Sequence, residues 1–166
     1  MNGSYIFLLH LVGFGLFSAM LVSSIVLERK LRLEPDWGRK LYLINLLPSR
    51  FLGILALALL LLTGAGNIYN RYLSSPEPWH SETWLMAKMI LFFVLILNGA
   101  ITGRILLTRR LRLIKYMSEN KAVPNAEESI KSYNKGIMIF YLIQIAILIA
   151  ILYLAVFGGS KHPGII

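Results

Sequence analysis

Two ionisable side chains stand inside apolar stretches of this sequence, and lipid makes both expensive to hold there. His10 lies about two turns into a run that begins near Ser4. At about 1.5 Å per residue, it sits several ångströms below the outer surface of a membrane. An imidazole at that depth can ligate haem iron, relay protons or hydrogen-bond a neighbouring helix. Lys88 is the only Lys or Arg well inside a predicted span, at a similar depth. A buried ammonium needs a counter-charge or a water cavity. No Asp or Glu occupies a predicted helix core. Lys88 therefore either snorkels to the interface or meets an anion the protein does not supply, such as a porphyrin carboxylate.

Spacing groups further residues with Lys88. His80, Trp84 and Lys88 are four apart and share one helix face if the helix starts early enough. Asn98 and Thr102 carry polar character towards the other end. Asn134, Tyr141 and Gln144, spaced seven and then three, share a face of the last apolar stretch. A polar and aromatic seam inside a helical bundle is where cofactors are held. Ordinary helix packing is the competing explanation for each stripe taken alone.

These residues need a scaffold, and the composition names it. The chain has 166 residues, 57% of them hydrophobic, and a mean hydropathy of +0.66. Soluble domains are less apolar. The apolar residues fall in four blocks, Ser4–Leu27, Phe51–Tyr69, Thr83–Leu107 and Gly136–Phe157. Each approaches or exceeds the roughly 20 residues a helix needs to cross the hydrocarbon core. The expected fold is all-α, an integral membrane four-helix bundle forming a single domain over residues 1–166. Gly13, Gly15, Ser18, Ala19, Ser23 and Ser24 let a neighbour approach the first helix closely. The Leu- and Ala-rich second helix reads as a packing helix.

The connections are legible in outline. Pro35 and Gly38 predict a turn, and Leu41–Leu47 is short enough to lie along the interface. Pro48 suits the start of the second helix, and Ser81 suits the N-cap of the third. The third helix continues past the membrane until Val123-Pro124-Asn125 breaks it. Asn125 is placed to cap a short helix through Glu127 and Glu128.

Charge sets the expected orientation. The formal net charge is +9. Fourteen of the 17 Lys and Arg residues lie in Arg29–Arg50 and Arg104–Lys135, between the first two and the last two blocks or at their edges. Basic short loops stay in the cytoplasm. This puts segments 28–50 and 108–135 inside and both termini outside, in the periplasm of a bacterium whose inner membrane holds a multi-pass protein. Tyr69, Tyr72, Trp79 and Trp84 then form an aromatic belt at the outer interface. A membrane accounts for nearly every basic residue, so no nucleic-acid partner is expected. No cleavable signal peptide is expected, because the basic cluster follows the first apolar run. Cysteine is absent. That excludes disulfides, thiolate-bound metals, iron–sulfur clusters and thioether-linked haem.

With these residues in view, His10-Leu-Val-Gly13 and Trp84-Leu-Met-Ala-Lys88 resemble a known superfamily. It comprises the HemJ-type protoporphyrinogen oxidases and the CopD-type copper-resistance membrane proteins. The resemblance covers most of the chain but rests on few residues. It implies that His10 is an axial ligand of haem b, with Trp84 and Lys88 in the characteristic third-helix pattern. Copper handling lacks its residues, since there is no Cys and no Met or His cluster of copper type.

The leading expectation is thus a haem b-binding membrane protein. It would act as a HemJ-like protoporphyrinogen oxidase or a membrane electron-transfer protein. His80 is the better placed of the other histidines for the second iron position, with Met86, Met89 or an open site as alternatives. Lys88 would pair with a propionate. A porphyrin substrate and a quinone or respiratory chain are the corresponding partners, together with the lipid bilayer. The alternative is a non-catalytic subunit or accessory protein of a larger membrane complex or homo-oligomer, without its own cofactor. A small transporter or proton pathway ranks last, because the spans lack the carboxylates that relay protons.

Overall fold

A computed structural model describes residues 3–45, 50–72 and 82–158. The described residues are almost wholly helical. Helix α1 runs Gly3–Leu33, α2 Trp37–Asn45, α3 Arg50–Tyr72 and α4 Thr83–Asn98. A π-helical turn, Gly99–Gly103, joins α4 to α5, Arg104–Ser118, and α6 runs Ala126–Phe157. Among the described residues, four stretches are long and apolar enough to cross a membrane: Ser4–Leu33, Leu52–Tyr72, Thr83–Ser118 and Ala126–Phe157. Only 11–28% of their apolar windows is buried within the protein. Large side chains such as Leu8, Val22, Ile54, Leu62, Phe93 and Ile149 point outward. Water would reject such a surface, whereas hydrocarbon is its matching solvent. The chain is a multi-pass membrane protein.

The helices are longer than the apolar blocks. α1 has 31 residues and α6 has 32, so each is more than about 45 Å long against a hydrocarbon core of about 30 Å. The expected loops at 28–50 and 108–135 are therefore largely helical. Their Glu, Arg, Lys and Leu residues favour helix, and no Pro or Gly follows Gly15 until Pro35. Asp36 starts α2: its Oδ1 accepts the Arg39 backbone N–H at 2.6 Å, and Lys40 Nζ stands 3.8 Å over the Trp37 ring. Near Pro124 the chain turns through Asn120 and Asn125, both in the left-handed region, which Asn tolerates better than most residues. The helix expected through Glu127 and Glu128 is the first turn of α6 itself, and Asn125 caps it with no side-chain bond. Glu119 and Lys121 pair across this turn. The hydrogen bond from Lys121 holds the Glu119 carboxyl below its usual range and the Lys121 ammonium above its own. Pro48 and Ser81 lie outside the described residues.

Contacts gather the helices into two compact units. One holds α1, α2, α3 and the C-terminal end of α5; the other holds α4, the π-turn, the start of α5 and α6. In the first, α1 and α3 form an antiparallel hairpin. Met20 meets Gly53, Gly13 meets Leu59 and Leu60, and Ile6 meets Gly66. A methyl added to Gly53 would stand 2.7 Å from Met20 Sδ, so the Met20 side chain occupies the space that the missing Cβ leaves. Phe17, Leu21, Ala56 and Leu60 are buried in this unit.

The second unit is also an antiparallel pair. Trp84 lies against Gly158, Gly103 against Phe140 and Leu106 against Gly136. Leu85, Leu95, Ile137, Phe140, Ile147 and Ile151 are among its buried apolar residues. A methyl at Gly103 would fall 2.9 Å from Phe140 Cζ. The wider π-turn can press against α6 because glycine closes it.

Candidate functional site

His10 is half-buried on α1 and faces α3. Its Nδ1 lies 2.8 Å from Thr63 Oγ1. Thr63 is buried and donates its hydroxyl proton to the Leu59 carbonyl one turn earlier. A threonine hydroxyl has a single proton. With that proton directed along α3, Thr63 Oγ1 can accept from His10 Nδ1–H. In the neutral tautomer that makes this bond, the ring's lone pair is on Nε2. Metal-ligating histidines are held in this way, the far ring nitrogen donating to a fixed oxygen. Sequence reasoning treated α3 as packing alone and passed over Thr63. The available signal was a lone hydroxyl at the end of the unbroken apolar run from Phe51 to Leu62.

Trp84 and Lys88 sit one turn apart on α4 in the other unit. Trp84 closes the end of the α4–α6 pair: a methyl at Gly158 would fall 2.8 Å from its Cβ. Lys88 is half-buried. No carboxylate among the described residues pairs with it. Met86 is half-buried and Met89 is exposed. His80 lies outside the described residues.

The polar stripe on α6 faces α4. Gln144 is 3% exposed, and its Nε2 donates to the Leu95 carbonyl at 3.2 Å. Asn134 Oδ1 accepts from Arg110 Nη1 at 3.0 Å. Among the described residues no partner reaches Gln144 Oε1 or the buried Asn98 Nδ2. Both flank the π-turn, a deformation that recurs at functional positions in helices. Glu28 and Arg110 are each 1% exposed, although both belong to charge-rich stretches of the sequence. Glu28 accepts from Arg32 Nε at 3.3 Å.

Among the described residues no three His, Asp or Glu side chains converge as a metal site. A lone imidazole can ligate a metal whose remaining ligands come with it, which is how a macrocycle presents iron. The His10 arrangement fits that requirement. No family model, curated protein or solved structure matches the chain.

Proposed function

We propose that this chain is a haem b-binding membrane protein in which His10 Nε2 is an axial ligand. The observation that supports this reading is the Thr63–His10 bond, which suits the tautomer with its lone pair on Nε2. The resemblance noted from the sequence adds Lys88 as the partner of a propionate, supplying the charge that an anionic cofactor needs in lipid. Trp84 holds the end of the helix pair that carries Lys88. His80 is the first candidate for the second iron position, with Met86, Met89 or an open site as the alternatives. The haem supplies one-electron chemistry, and the protein sets its ligation and polarity. The activity is that of a membrane oxidoreductase or electron carrier, with HemJ-like porphyrinogen oxidation as the specific form and a quinone or respiratory chain as electron acceptor. The purified protein should show a Soret band and sharp reduced-state bands. A colourless protein, purified from cells with ample haem, would sink the proposal.

One observation favours a second reading, a cofactor-free subunit of a larger membrane complex. The His10–Thr63 and Gln144–Leu95 bonds each join two helices of one hairpin, as interhelical polar bonds in membranes do. Thr63→Val separates the two readings. It keeps the side-chain shape and deletes the acceptor. If His10 is a ligand, haem retention should fall about 10–100-fold, the usual cost of losing an outer-shell partner. A purely structural bond predicts loss of only about 0.6 kcal/mol of stability and no spectral change.

The proposed orientation has both termini outside and both basic segments in the cytoplasm of a bacterial inner membrane. Reporter fusions at Glu34 and Glu119 should read cytoplasmic. A periplasmic signal from either reverses the assignment.

A further inference from the structure

We propose that the outward face of α5 binds an anionic phospholipid, with Arg109 and Arg112 holding its phosphate. The apolar part of the Thr83–Ser118 run begins at Thr83, and about 20 residues cross the hydrocarbon core. That places the π-turn near the edge of the core and Arg104–Arg112 at headgroup depth. Ile105, Arg109 and Arg112 are spaced four and then three, so they share one face of α5. All three are exposed, and Ile101 just before them is exposed as well. The face therefore runs from apolar to basic along the helix. That is the order of an acyl chain and its phosphate in one lipid molecule.

Charge supports this occupant. Among the described residues no carboxylate pairs with Arg104, Arg109 or Arg112. The nearest ion pair on α5 is Lys115 with Glu119 at 4.0 Å, beyond the proposed site. Guanidinium groups present forked donors that match phosphate oxygens. Arg104 is exposed beside the site and adds to its potential.

The test is lipid retention by native mass spectrometry and thermal melting, with phosphatidylglycerol or phosphatidylcholine added to the full-length protein in neutral detergent. Wild type should retain phosphatidylglycerol selectively and melt higher with it. Arg109→Gln/Arg112→Gln should lose about 30-fold in apparent affinity, from about 1 kcal/mol per basic residue near an anionic surface. Arg109→Lys/Arg112→Lys should recover part of the preference and guards against a folding artefact. Lys131→Gln/Lys135→Gln removes the same charge from α6 and should leave the preference nearly intact. An unchanged preference in the glutamine pair overturns the proposal. So does an equal loss in the α6 pair, which would mean a diffuse charge effect. Equal competition by inorganic phosphate also overturns it, because a free anion would then satisfy the site without acyl chains.

Discussion

His10→Ala is expected to give a protein that purifies without haem from the same cells in which the wild type retains it. Alanine provides no lone pair for iron, and the lipid-facing residues of α1 provide none either. The fold should survive. In a membrane, an interhelical side-chain bond contributes about 0.6 kcal/mol on average, and the α1–α3 contact also rests on Phe17, Leu21, Ala56 and Leu60. Far-ultraviolet dichroism should therefore match wild type while the Soret band disappears. Exogenous imidazole should restore part of that band, because it supplies the missing nitrogen without repairing any helix contact. Full haem occupancy in the alanine variant would remove His10 from the ligand set.

Lys88→Met should produce the next largest loss. If the ammonium pairs with a propionate, methionine strands that anion in a medium that cannot solvate it. Breaking a buried pair by removing one member costs about 3–5 kcal/mol, which is more than about 100-fold in haem affinity. Lys88→Arg should retain part of the affinity, since the charge survives while the donor geometry changes. If Lys88 only snorkels, methionine removes a charge that lipid penalises, and the variant should be as stable as wild type or slightly more so. The haem-to-protein ratio at equal yield decides between these outcomes. A wild-type ratio in Lys88→Met would leave Lys88 with no part in the site.

The four spans were legible because length and apolarity suffice to identify them in lipid. Their ends were less so. The first apolar block stops near Leu27 and the last begins near Gly136, but α1 continues to Leu33 and α6 starts at Ala126. Charged residues extend a helix into water as readily as apolar ones extend it through a membrane, so hydropathy marks the solvent boundary and not the helix terminus. His10 stood out from its type alone. Its partner did not, because the register that brings Thr63 to His10 arises from contacts such as Gly13 with Leu59 and Met20 with Gly53, which no local pattern encodes. Glu28 and Arg110 were hidden for a related reason. In a run of charges, the sequence does not mark which member turns inward.

The π-turn has a consequence for phase. One extra residue in a helical turn offsets everything after it by about 100° relative to an unbroken helix. α4 and α5 are thus one rod with two independent angular settings. Upstream, the setting places Leu95 against Gln144; downstream, it directs Arg110 to Asn134 and leaves Arg109 and Arg112 facing out. Were the five residues Gly99–Gly103 reduced to four in α-helical form, the rod would remain continuous. Its basic end would be turned by more than a quarter of a circle, with a different arginine presented to α6.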